Sequence, residues 1–323
     1  MKIMGKGYTS WENKEELEEM SGEEFIAEVL NGRKDFSRIK LESVDLSGID
    51  GFEEMNRYLK KNRKNLRREP IVINYSDFSG VEARGLHLPY VKGIEANLER
   101  IDFEGANLQR ADFREACLEE ANICGANLQG ANFRKANLRE ANLFRAYLKG
   151  ANFEEANLEE AELYEADLEK ANLFRAHLWG ANFQEANLQE ANLREAELEV
   201  AYLREADLEG AKLQGANLRE ARLHMGKLEG AKLEGANLEG ADLERANLRR
   251  ANLREAYLGG ANLKEARLYM AKLEEAKLEG ANLKKAKLQG ADLRRAELDG
   301  AYFKDAKLKG AKLEGAKAKV IFL

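Results

Sequence analysis

Beyond Ser79 the chain contains no serine or threonine, although it runs to 323 residues. A hydroxyl nucleophile is therefore excluded from everything downstream of that point. Cysteine is equally scarce. Cys117 and Cys124 are the only two, too few for a disulfide framework, and as outward thiols they fit a reducing compartment. His87, His177 and His224 are the only histidines, and no His/Cys spacing matches a metal site. No stretch approaches the roughly 20 apolar residues a membrane span requires. The opening MKIMGKGYTSWENKEELEEM has no apolar segment of the signal-peptide kind, so the expected location is cytoplasmic. Glycines recur at a fixed period rather than in a phosphate-cradling loop. Carboxylate pairs such as Glu119-Glu120 and Glu159-Glu160 lack the apolar pocket that would raise a pKa. No catalytic, cofactor-binding or metal-ligating residues are expected, and the chain is not expected to be an enzyme.

What is abundant is charge and repetition. Charged residues make up 34% of the sequence, yet the net charge is only -6. Interspersed signs describe a solvated surface without a global attraction to nucleic acid or membrane. From Ala96 to about Gly315, a small residue falls at nearly every position ending in 1 or 6. Leu or Phe falls at nearly every position ending in 3 or 8. ANLQR-ADFRE-ACLEE-ANICG-ANLQG, starting at Ala106, shows the pattern, and Ile101 and Gly226 are rare lapses.

A period of five fits neither a helix nor a plain strand. Within each unit the small residue and the Leu are two apart, so on an extended step both point inward. The next two residues, often ending in Gly, can turn a corner where glycine tolerates positive φ. One step and one corner per five residues make a square coil of about 20 residues. Alanine is required inside because a larger side chain would collide with the leucines filling the same narrow interior.

This pattern resembles the pentapeptide-repeat family. The resemblance implies an all-β solenoid, a right-handed quadrilateral β-helix. Residues twenty apart should stack, placing Phe113, Phe133 and Phe153 in one column and Asn132 and Asn152 in a neighbouring one.

The ends depart from the pattern. Residues 71–319 keep the five-residue phase, weakly at first. An earlier degenerate coil is expected at 35–51, where Phe36, Leu41 and Leu46 are five apart. Between them, residues 52–70 are rich in helix formers and end at Pro70, which predicts a helical insertion. Residues 1–34 are expected to be a helical cap. SGEEFIAEVLNG, starting at Ser21, supplies an N-cap serine, early acids and an apolar stripe of Phe25, Ile26, Val29 and Leu30. The apolar tail at 320–323 is expected to be a second cap or half of an end-to-end dimer contact, so a monomer or such a dimer is anticipated.

With inward positions committed to packing, identity must lie on the outward ones. Phe144, Tyr164, Phe174 and Trp179 are candidate protein-contact residues. The register sorts Glu119, Glu120, Glu159, Glu160, Glu199 and Glu239 onto one acidic wall. Some family members, including quinolone-resistance proteins, act on DNA gyrase and are interpreted as duplex mimics, so the resemblance makes that wall relevant. Duplex DNA, however, carries one charge per about 1.7 Å, far denser than this wall. A basic run at 57–68 reads as a solvated helix face, and direct nucleic-acid binding is not expected. The expected function is a protein-binding scaffold acting through its side walls. The alternative is a DNA-mimicking modulator of gyrase or another type II topoisomerase.

Overall fold

The computed structural model describes residues 16–41 and 43–319. Two compact units divide the chain, Met1–Ala161 and Glu162–Leu323. Both are built from the same five-residue element, and one example accounts for its chemistry. The N–H of Ala136 donates to Phe133 O at 2.9 Å and closes the preceding turn. That of Asn137 donates to Ala116 O in one neighbouring coil at 2.9 Å. Those of Leu138 and Glu140 donate to Asn157 O (2.7 Å) and Glu159 O (2.9 Å) in the other. The remaining N–H, on Arg139, is taken by the side-chain Oδ1 of Asn137 at 3.2 Å. Every backbone donor of the unit is thus satisfied, as burial of the chain demands. Asn and Asp recur at the second position because their short side chain reaches the backbone two residues on.

The fifth residue of each unit lies in the left-handed region, whether it is Gly130 (φ 66°), Glu140 (φ 57°) or Val200 (φ 53°). Glycine is favoured there but not obligatory. Ala and Leu positions face inward and are essentially fully buried throughout the regular coils. Each buried Leu contributes about 1.5–3 kcal/mol of transfer free energy. Because only about three residues per unit are extended, neighbouring coils meet through single parallel bridges rather than long strands. Asn97↔Cys117 and Cys117↔Asn137 are typical.

In the first unit, β1 (Glu18–Met20) is followed by α1 (Gly22–Leu30), β2 (Ile39–Leu41), a 3-10 turn at Leu46–Gly48, α2 (Phe52–Lys61) and α3 (Arg63–Leu66). Ser21 caps α1 reciprocally with Glu24: Ser21 Oγ accepts from Glu24 N–H, and Glu24 Oε2 accepts from Ser21 N–H. Phe25, Ile26 and Val29 are buried, and the Phe25 ring lies 4.8 Å from Phe36 and 5.7 Å from Phe78. Residues 1–34 are not purely helical where described, since β1 pairs in parallel with β2, Glu18 opposite Ile39. The short strand covers backbone groups of β2 that would otherwise form an open edge.

Asp35, Lys40 and Asp45 bridge Val72, Asp77 and Glu82, each 37 residues on, whereas Val72 bridges Lys92 only 20 on. The surplus is held by α2 and α3, which stand where a fourth step of that coil would be. Beyond Val72 the regular register holds, and Phe113, Phe133 and Phe153 stack at 5.6 and 4.9 Å between centroids. Asn152 Nδ2 donates to Asn132 Oδ1 at 3.3 Å, an amide ladder up the outside of the coil.

The second unit keeps the twenty-residue register from Glu162↔Asn182 to Glu297↔Lys317. Its core thins at the last described coil, where Leu313 is 43% exposed. The tail expected at 320–323 lies outside the described residues.

Candidate interaction surfaces

Stacking at a period of twenty decides what the outward side chains meet. A residue in a turn sits above its counterpart in the next coil, so opposite charges twenty apart pair along the stack. Arg100 Nε reaches Glu120 Oε2 at 2.9 Å, and Arg175 Nε reaches Glu195 Oε2 at 2.7 Å. Exposed pairs of this kind contribute about 0–1 kcal/mol each. Their larger effect is on surface potential, because they neutralise what the sequence alone presents as acidic.

The acidic-wall candidates show this directly. In the first unit, Glu119 accepts from Arg139 Nε at 2.9 Å and from Asn137 Nδ2 at 2.9 Å. Glu120 is held by Arg100, whose hydrogen bond lowers the carboxyl's pKa. Glu159 is half-buried and Glu160 exposed. In the second unit, Glu199 accepts from Arg219 Nε at 2.7 Å, while Glu239 stands exposed. Half of the six carboxylates therefore carry an arginine.

Of the aromatic candidates, Phe144 belongs to the first unit, half-buried beneath the Arg145 guanidinium at 4.7 Å. The other three belong to the second unit. Phe174 lies under two guanidinium groups, Arg175 at 4.7 Å and Arg194 at 5.5 Å. Trp179 is 45% exposed. These two occupy the turns on either side of one extended step, and that step holds His177, whose Nδ1 lies 2.8 Å from Glu197 Oε2. Tyr164 sits at a turn following a different step, that of Glu162. Its hydroxyl donates to Glu185 Oε1 at 3.2 Å. The hydrogen bond to Glu165, with burial and the Glu185 charge, raises its pKa. Phe174 and Trp179 flank one step, and Tyr164 does not join them there.

The cysteines differ from expectation. Cys124 is half-buried, but Cys117 is buried, and burial pushes its thiol pKa up. Cys117 occupies the second position of its unit, where neighbouring coils crowd the side chain from both sides through the bridges to Asn97 and Asn137. It points outward but is covered.

An open groove of about 420 Å³ in the second unit is lined by Glu185, Asn187, Glu205, Asp207, Met225 and Lys227. Lys227 Nζ lies 3.4 Å from Asp207 Oδ2, and no hydroxyl or thiol nucleophile lines the groove. One constellation escapes a linear reading of the sequence: His224, Asp242 and Glu244 come together on the second unit, half-buried. The available signal was the spacing of twenty between His224 and Glu244.

Stacked five-residue units, an Ala/Leu interior and charged outer walls define a β-helix of the pentapeptide class. The family model for pentapeptide repeats matches in eight copies, at residues 94–123, 116–143, 141–180, 171–199, 181–220, 201–240, 241–280 and 276–315. The chain belongs to this family, and its coils form a right-handed β-helix. Among solved structures it is similar to HetL, a pentapeptide repeat protein involved in heterocyst differentiation regulation, from the cyanobacterium Nostoc sp. strain PCC 7120. That match has 30% identity, covers 92% of this chain and 99% of HetL, and has a TM-score of 0.28. It is also similar to Rfr23 from the cyanobacterium Cyanothece 51142, at 30% identity over 34% of this chain and 90% of that one, TM-score 0.34. A more remote likeness is to QnrB1, a plasmid-mediated fluoroquinolone resistance protein, at 17% identity over 55% of this chain and 88% of QnrB1, TM-score 0.26. Among curated proteins none matches the chain. Among the described residues, no helix is long and apolar enough to cross a membrane.

Proposed function

We propose that the protein is a non-enzymatic scaffold that binds another protein through a side wall, with Phe174 and Trp179 as its anchors. The observation behind this reading is the exposed Trp179 indole on a surface rich in charge, one step from Phe174. Aromatic anchors within a polar surround are the usual composition of an energetic centre at a protein interface. Regularity supports the same reading, because a wall of fixed 20-residue pitch presents side chains on a rigid lattice and loses little entropy on binding. A cytoplasmic location goes with it, resting on two cysteines that remain free.

The test is affinity capture from native lysate with the full chain and with the Phe174→Ala/Trp179→Ala variant. Loss of a specific captured protein in the variant supports the reading. Undiminished capture removes this wall from it, and the Phe144→Ala/Tyr164→Ala variant then examines the remaining aromatics.

The second reading is a DNA-mimicking modulator of gyrase or another type II topoisomerase. Glu159 and Glu160 on the first unit and the exposed Glu239 on the second favour it, and the arginines on Glu119, Glu120 and Glu199 weigh against it. A supercoiling assay with purified gyrase decides: no effect at micromolar protein ends this reading.

A further inference from the structure

The register that pairs charges elsewhere produces something different at His224. Glu244 lies twenty residues on, in the equivalent turn of the neighbouring coil, and the bridge Arg222↔Asp242 sets Asp242, two residues before Glu244, beside the step that leads to His224. One ligand atom from each of His224, Asp242 and Glu244 lies within 4.8 Å of the other two. No other such trio occurs among the described residues.

We infer that His224, Asp242 and Glu244 form a binding site for a divalent transition-metal ion of the Zn²⁺ or Co²⁺ class. The donor set argues for that class: one imidazole nitrogen with two carboxylate oxygens suits zinc and its neighbours. Calcium and magnesium take oxygen ligands alone. Around a tetrahedral ion with bonds of about 2.0–2.2 Å, ligand atoms are about 3.5 Å apart. Closing from within 4.8 Å to that spacing is a shift of at most about 1.3 Å between ligand atoms.

The supporting groups are already in place. Asp242 Oδ1 accepts from Glu244 N–H at 3.1 Å and from Asn262 Nδ2 at 2.9 Å, which fixes the carboxylate and leaves Oδ2 for the ion. Glu244 Oε1 accepts from Lys264 Nζ at 2.9 Å, and Oε2 receives a long contact of 3.4 Å from Asn262 Nδ2. Lys264 thereby orients Glu244, but its ammonium also competes with a cation for the same carboxylate. Three protein ligands leave a fourth position for water or for a donor from a bound partner. The site joins two adjacent coils, so an occupied ion would cross-link them.

All three side chains point outward from the Ala/Leu core, and Asp242→Asn keeps an oxygen for the Glu244 N–H, so the variants His224→Ala and Asp242→Asn leave the coil intact. Isothermal titration of the full chain with zinc chloride, and visible absorption of the Co²⁺ form, test the inference. The expected results are one equivalent bound in the micromolar range and a ligand-field band. His224→Ala should weaken binding at least tenfold and abolish the band, and Asp242→Asn should also weaken it. Lys264→Gln should tighten it by relieving the competing charge. Wild-type protein that takes up no zinc at millimolar concentration overturns the site. So does zinc uptake unchanged by both His224→Ala and Asp242→Asn, which would assign the binding to other groups.

Discussion

The side-chain oxygen of Asn56 accepts a hydrogen bond from the backbone N–H of His87 at 2.9 Å. In the regular coils of the first unit that N–H donates to a main-chain carbonyl of the preceding coil, as Asn107 N–H does to Leu86 O. Here the preceding coil has no fourth step, because α2 occupies its place. A buried side-chain amide on that helix therefore stands in for the missing backbone. Its Nδ2 also makes a long contact with Gly85 O at 3.4 Å.

Replacing this amide by an isosteric hydrocarbon should expose the dependence. Asn56→Leu leaves the His87 N–H buried without an acceptor, at a cost of about 1–3 kcal/mol. Hydrogen exchange gives the site-specific readout: the His87 amide should lose protection while amides of the second unit keep theirs. Unchanged protection at His87 would show that another acceptor serves it.

How much of this could be read beforehand follows from how each residue is used. The coil was legible because one residue type does one job at each position for over two hundred residues, and periodicity averages out the lapses. Asn56 was not legible. Its neighbours form a basic helix, and nothing in a helical pattern marks a polar residue as a surrogate strand. Cys117 was misread for a related reason: the second position is outward by direction yet covered by its neighbours above and below. The ion pairs on Glu119, Glu120 and Glu199 were partly legible, because the register sets Arg139, Arg100 and Arg219 on the same wall; which carboxylate each guanidinium reaches was not. Phe174 and Trp179 flanking one step, and His224 beneath Glu244, are likewise facts of stacking that a linear scan does not present.

His87 offers a pH test. Its Nε2 is buried without a hydrogen-bond partner, and burial, with Lys60 and Arg63 nearby, holds its pKa below the ordinary value. The unfolded chain therefore takes up the proton more readily than the folded one. Stability from this residue is complete above about pH 6.5 and declines as the pH falls below it, towards the depressed folded value. Denaturation of the first unit followed at pH 7.5 and 5.5 should show this loss, and His87→Gln should flatten it. An equal loss in the variant would assign the effect to other groups.

Val200 carries a β-branched side chain at φ 53°, in a region that such residues avoid. Val200→Gly removes that strain, and even after glycine's extra unfolded-state entropy a gain of about 1 kcal/mol is expected. A thermal melt should shift upward. A downward shift would mean that packing by the isopropyl group outweighs the backbone strain.

The twenty-residue stacking also sets rules for how such a chain can change length. Gaining or losing four consecutive units adds or removes a whole layer and leaves every column aligned, so a change outside residues 199–219 leaves Arg219 on Glu199. Gaining or losing a single unit keeps the interior just as well packed but turns every later residue by a quarter revolution. Downstream residues would keep their spacing among themselves but move to the next wall, so only pairs that straddle the change are broken, His224 with Glu244 among them if it falls between the two. Copying errors in multiples of twenty are therefore silent for recognition, whereas errors of five preserve the fold and rewrite the surface.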